Sequence, residues 1–189
     1  HIYLRKDNNW GKNYTYKDSE GLVDKLLSYE GIDIAMARNE KGQIVIKSKR
    51  GTALLEDKET GVMYTPLLND PFGYNGIKDY LTYDEVLDLT FDTLYPDSLT
   101  QIVQIFKSAR CGDIVISAQT GYDLRRDFEI PEHKSSHGSL KSDHMHVPLI
   151  MNKKVPISRI RTVDLFPTIL DFLSLPCSTK IDGKKLDIY

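Results

Sequence analysis

The sequence lacks most of the features that announce a class. Two cysteines in 189 residues, Cys111 and Cys177, are too few for a disulfide framework or a cysteine-rich zinc module. No apolar run approaches the roughly 18 residues of a transmembrane helix and no signal peptide is visible, so no membrane partner is expected. An excess of charge of one sign is missing as well. Lys and Arg number 25 against 27 Asp and Glu, a formal net charge of −2, which argues against a dedicated nucleic-acid binder, since such proteins carry a basic surplus. There is no Walker loop, no G-x-G-x-x-G and no G-x-S-x-G elbow. The one tryptophan, Trp10, and the 11 tyrosines show no base-stacking arrangement. Few cysteines and no visible leader together place the expectation in the cytoplasm.

What is present is globular. Apolar residues make up 40% and charged residues 28%, and this length can bury a real core. It fits one domain, or one domain with a short appendage. The chain opens on His1-Ile2-Tyr3-Leu4, which reads as a strand already in progress and predicts a piece of a longer chain.

Ser19 is a candidate cap for a helix carrying Leu22, Val23, Leu26 and Leu27 on one stripe, ended by Gly31. Ile32–Ala37, Gln43–Lys47 and Thr52–Leu55 read as short strands separated by Gly turns, an α+β-like opening. Residues 65–76 hold Pro66, Pro71, Gly73 and Gly76 and read as loop. Thr82 and Glu85 match a capping box. Asp84, Asp88 and Asp92 then form an acidic helix face. Between Asp57 and Thr100 there are nine acidic and two basic residues, and with nothing else gathered beside those carboxylates a solvated face is the better reading than a cation site. A helix after Pro96 carries Leu99, Ile102, Val103 and Phe106 at core spacing.

The final third looks like α/β. Asp113–Ala118 and Val147–Met151 read as buried strands, and Thr162 as the cap of a helix over 163–173 with Pro167 near its first turn. The core sheet is expected to be mixed or mostly parallel. Between the two strands lie four of the five histidines: His133, His137, His144 and His146. Imidazole is a common metal ligand, and loops at strand ends are where α/β sheets place ligands. Each histidine taken singly also fits a satisfied polar residue, and a self-contained zinc site would need all four to converge. His137 stands apart because Ser136 and Gly138 leave room for close approach. Arg125-Arg126 and Arg159 with Arg161 fit phosphate contacts or plain surface charge. Gly121-Tyr122-Asp123 fits substrate contact or plain loop.

The run Glu132-His133-Lys134-Ser135-Ser136-His137-Gly138-Ser139, then Asp143-His144-Met145-His146-Val147-Pro148-Leu149-Ile150, resembles the C-terminal part of the alkaline phosphatase superfamily. The likeness is to type I phosphodiesterase/nucleotide pyrophosphatase-like proteins. Thr162-Val163-Asp164-Leu165-Phe166-Pro167-Thr168-Ile169-Leu170 resembles the V-D-x-x-P-T-I helix of that superfamily, and Asp182-Gly183-Lys184-Lys185-Leu186 the D-G-x-x-L that follows. The resemblance runs from about Cys111 to Leu186 and is looser before that. It implies a layered α/β/α core of alkaline-phosphatase type, formed by residues 66–189, with a small helix-and-hairpin α+β lobe at residues 1–65. It also implies a metal-dependent hydrolase of phosphate esters or nucleotides with two divalent metals, zinc by expectation, in the complete enzyme. His137 maps onto one metal ligand. The family's nucleophile and remaining ligand motifs have no counterpart in residues 1–110, and Asp143-His144 follows the His-Gly loop, in the wrong order. The chain is therefore expected to be inactive alone, with at most partial metal occupancy, and to need a missing N-terminal part as partner. A non-catalytic binding or interaction domain that kept the fold is the alternative.

Overall fold

The structure is a computed structural model, which describes residues 1–5, 9, 14–124, 131, 138–153, 159–178 and 181–187. The chain forms two compact units, His1–His146 and Val147–Tyr189. The sequence boundary at 65/66 falls inside a strand of the first.

The first unit is mixed α/β. Helix α1 (Tyr16–Ser28) starts one turn earlier than Ser19 suggests, because Thr15 and Asp18 form a reciprocal capping box there. Ser19 lies inside the helix and donates its hydroxyl to the Thr15 carbonyl. The strands β1 (Ile32–Arg38), β2 (Ile44–Ser48), β3 (Thr52–Lys58), β4 (Gly61–Leu68) and β5 (Asp79–Thr82) follow. Helices α2 (Tyr83–Thr90) and α3 (Ser98–Lys107) precede β6 (Ile114–Ala118), and the four-residue helix α4 (Ser142–Met145) closes the unit.

The six strands form one sheet in the order β5-β4-β3-β2-β1-β6, and every described pairing is antiparallel. This corrects the expectation of a mixed or mostly parallel sheet. The connections from β1 through β4 are tight hairpins, which reverse the chain, whereas a parallel pair needs a crossover of a dozen residues or more. Pro66 misleads the sequence reading in the same region. β4 continues through it, with Pro66 opposite Ala53 beside a register shift where a missing N–H is tolerated.

Alternation along the strands sorts the core onto two faces. Ile34, Met36, Ile46, Leu55, Val62 and Tyr64 pack with Val86, Leu99, Ile102, Val103 and Phe106 of α2 and α3. Ala35, Ala37 and Ile114 pack on the opposite face with Val23 and Leu27 of α1. Thr82 and Glu85 form the capping box read from the sequence, and Asp84, Asp88 and Asp92 are exposed.

The second unit holds a 3-10 turn (Thr162–Asp164) running into α5 (Leu165–Phe172). Residues Val147–Met151 form no strand. Val147 is 68% and Ile150 91% exposed, and among the described residues no strand pairs with this apolar run. Phe166, Ile169 and Phe172 also lie exposed along α5. No helix among the described residues is long and apolar enough to cross a membrane.

Candidate functional site

One end of the sheet brings together Asp33 and Lys141, two of the buried charged residues of the first unit. The start of β1, the β2–β3 turn and the end of β6 all lie there, since Ile34 pairs with both Ser48 and Ser117. Regular alternation would point Asp33 toward α1, on the side of Ala35. A register shift between Ile32 and Ile34 turns it over. Ile32 joins the α1 cluster, while the Asp33 carboxylate meets Tyr95 on the other face.

Asp33 is only 3% exposed, and a carboxylate so placed needs partners. The Tyr95 hydroxyl donates to its Oδ2 at 2.7 Å and the Arg50 guanidinium to its Oδ1 at 2.9 Å. The Lys141 ammonium stands 4.0 Å away. Arg50 is fixed twice more, by donation from Nε to the Pro71 carbonyl at 2.8 Å and by lying 5.2 Å over the Tyr95 ring. Its side chain keeps 38% exposure, against 10% for Lys141, which donates to the Gln119 side-chain oxygen. Burial, and then the bond to Asp33, push the Tyr95 phenol well above its ordinary range. It stays a proton donor at any physiological pH.

The chain that carries the histidines leaves and re-enters at this place. Beyond Gln119, Gly121 takes φ +88°, and the Tyr122 ring rests on Gly31, where a Cβ would come within 2.7 Å of it. Tyr122 therefore serves as packing for the β1 entry. On return, the Leu140 N–H donates to the Ser117 hydroxyl and the Ser98 hydroxyl to the Leu140 carbonyl, which seats Lys141 beside Asp33.

His137, the residue assigned to a metal, lies outside the described residues, as do His133, Arg125 and Arg126. Gly138 is described, and its smallness has a local cause: a Cβ there would stand 2.6 Å from the His144 Cβ. His144 accepts the Ser139 N–H on Nδ1 at 3.0 Å. The Ser139 hydroxyl stands 3.1 Å from the same nitrogen. His146 stacks on Phe91 at 4.6 Å. Both histidines are exposed. Among the described residues no three His, Cys, Asp or Glu gather to hold a metal ion.

In the second unit, two separate motifs meet. Asp164 accepts the Arg161 N–H on Oδ2 and the Lys184 N–H on Oδ1, both at 2.9 Å. Thr168 donates to the Asp164 carbonyl and accepts the Leu186 N–H at 2.9 Å. Gly183 passes so close to Val163 that a Cβ would stand 2.1 Å from its carbonyl oxygen. Asp164 and Thr168 are buried by this clasp, and Leu186 covers it.

The Asp33, Arg50, Tyr95 and Lys141 cluster has no motif of its own in the sequence. Its one signal is an aspartate inside the apolar run Ile32–Ala37. What the cluster offers chemically is a guanidinium edge and an ammonium, both held by a shielded carboxylate at the root of the histidine-bearing segment. No protein-family model, curated protein or solved structure matches the chain.

Proposed function

We propose that the chain is the C-terminal portion of a metal-dependent phosphodiesterase or nucleotide pyrophosphatase of the alkaline phosphatase superfamily, with the layered α/β/α core of that superfamily completed by a further N-terminal part. The observation that carries this reading is the clasp of the second unit. The two segments quoted for the resemblance, 162–170 and 182–186, are separated only by residues 171–181, and their distinguishing residues bond to one another: Asp164 to the Lys184 N–H and Thr168 to the Leu186 N–H. Gly183 is the glycine that this approach requires. A chance match of short motifs has no reason to pair them residue by residue.

Arg50 and Lys141 add a second support. Two cations stand over Asp33 near the described residues Leu140 and Lys141, which follow the His137-Gly138 pair in sequence, and phosphate-ester substrates are anionic. His137 contributes one metal ligand. The other ligands and the nucleophile belong to the complementing part, so the 189-residue chain does not hydrolyse phosphodiesters by itself. The metals, zinc by the chemistry of the family, bind in the completed enzyme.

The test is metal content and hydrolysis of bis-(p-nitrophenyl) phosphate, measured on this chain and on the full product of its reading frame. The expected result is hydrolysis with about two divalent metals per chain in the long form and neither in the 189 residues, with His137→Ala abolishing both the activity and part of the metal. A long form that is inert and metal-free, or a reading frame with no longer product, overturns the assignment and leaves the binding domain in its place.

A further inference from the structure

The turn between β2 and β3, Ser48-Lys49-Arg50-Gly51, holds two exposed cations and no acid. Its backbone is fixed. The Ser48 N–H donates to the Gly51 carbonyl at 3.0 Å and the Arg50 N–H to the Ser48 hydroxyl at 3.1 Å. That hydroxyl donates in turn to the Pro71 carbonyl at 3.1 Å. Gly51 lies so close to the chain leaving β4 that a Cβ would stand 2.5 Å from the Leu68 carbonyl oxygen. The turn is thereby seated on the segment that follows β4.

The Arg50 side chain is held as firmly as its backbone. Nε donates to the Pro71 carbonyl, Nη1 donates to Asp33, and the guanidinium carbon lies over the Tyr95 ring. An arginine that served only to neutralise Asp33 would set its fork on both carboxylate oxygens. Here Oδ2 belongs to the Tyr95 hydroxyl, and the guanidinium meets Asp33 through one nitrogen. Of its five donors these contacts use two. Nη2 has no partner among the described residues, on a side chain that keeps 38% exposure. Lys49 is exposed and makes no ion pair among the described residues, and Lys141 stands by the other oxygen of Asp33. Three cations thus gather about one carboxylate, a positive excess in a chain of net charge −2. Asp70, the acid beside Pro71, gives Oδ1 to the Tyr64 hydroxyl and to the Phe72 and Gly73 N–H groups, and its Oδ2 is buried.

We infer that the open edge of Arg50 is a binding site for a phosphoryl oxyanion, with Lys49 as a second contact and Lys141 adding attraction from below. A guanidinium fork matches two oxygens of one phosphate, which an ammonium does not. Because the fork is already oriented by Pro71, Asp33 and Tyr95, binding loses little side-chain freedom. Acetate fits the same fork with a single charge and gains less from the lysines. That the phosphate belongs to an ester substrate rests on the phosphodiesterase reading; the phosphate contact itself does not.

The experiment titrates inorganic phosphate, and separately acetate, into the 189-residue chain and follows the Arg50 side-chain N–H resonances by nuclear magnetic resonance. The expected result is a saturable shift with phosphate and a weaker one with acetate. Arg50→Lys keeps the charge, loses the fork and is expected to weaken phosphate binding about tenfold. Lys25→Gln, which removes an exposed charge on α1, is expected to change it by less than about twofold. No saturable shift, acetate binding as tightly as phosphate, equal affinity of the parent and Arg50→Lys chains, or equal losses from Arg50→Lys and Lys25→Gln overturns the inference. A long form that hydrolyses phosphodiesters while this chain shows no saturable shift removes the phosphate site and leaves the phosphodiesterase reading standing. Binding that depends on Arg50, beside an inert long form, does the reverse.

Discussion

Replacing Asp33 by alanine isolates the electrostatic centre of the first unit. Three groups lean on the carboxylate, and they respond differently to its loss. Lys141 is 8% exposed and its ammonium cannot recover hydration in place. Removing one member of a buried ion pair costs about 3–5 kcal/mol for this reason. The Tyr95 hydroxyl, on a residue 1% exposed, loses its acceptor, and a buried donor left unsatisfied costs about 1–3 kcal/mol. Arg50 loses least, because its side chain is 38% exposed and keeps the Pro71 carbonyl. These losses share one carboxylate and do not simply add, so the expected total for Asp33→Ala is about 4 kcal/mol. Asp33→Asn retains an acceptor for Tyr95 and is expected to cost about half as much. Arg50→Gln removes the partner that water can replace, at about 1 kcal/mol. Urea unfolding followed by far-ultraviolet circular dichroism gives all three values. An Asp33→Ala chain within about 1 kcal/mol of the parent, or an Arg50→Gln chain as damaged as Asp33→Ala, refutes the reasoning, since either would mean that the buried carboxylate is not what holds the cluster.

Alkaline pH should unfold the first unit through its buried phenols. Burial raises Tyr64, Tyr74 and Tyr95 above the ordinary value near 10, so the native state keeps protons that the unfolded chain releases. Their contribution is complete below about pH 10 and falls above it, by about 1.4 kcal/mol per pH unit for each phenol. A phenolate absorbance titration in which all 11 tyrosines ionise near 10 with the fold intact would contradict this. Gly183→Ala drives a Cβ against the Val163 carbonyl oxygen at 2.1 Å and is expected to open the clasp at a cost of about 2–3 kcal/mol, read as lost exchange protection at the Leu186 amide; unchanged protection refutes the packing. Nitrogen chemical shifts of the His144 ring should report an unprotonated Nδ1, the acceptor of the Ser139 N–H, and a proton on Nδ1 would refute that bond.

The sequence made the local signals legible and the long-range ones obscure. The Thr82 and Glu85 capping box, the α3 stripe of Leu99, Ile102, Val103 and Phe106, and the strand at 114–118 were readable because each depends on neighbours within a turn or on alternation. Strand direction was not. A short apolar strand such as β6 looks the same whether its neighbour is parallel or antiparallel, because both faces are buried in either case. β4 was hidden by Pro66, whose cost depends on the register of a partner strand that the sequence does not display. Val147–Met151 shows the opposite error. Its composition is that of a buried strand, but burial needs a second element, and in the second unit by itself Ile150 stands 91% exposed.

The same distinction governs the site. His137 was singled out by the small residues beside it, and the glycine among them proves to accommodate His144. A glycine reports that something approaches closely without saying what. Asp33 was visible only as an odd letter in an apolar run. Its importance comes from the register shift between Ile32 and Ile34, which turns the carboxylate away from α1 and toward Tyr95. A shift of one residue decides which face a side chain takes, and no periodicity measured along β1 alone contains it. Removing the shift, by deleting Ile32, would return the Asp33 side chain to the α1 face among Val23, Leu27 and Ala35. That face offers apolar groups where the present one offers a guanidinium and a phenol, so the bulge is what permits an aspartate at this position.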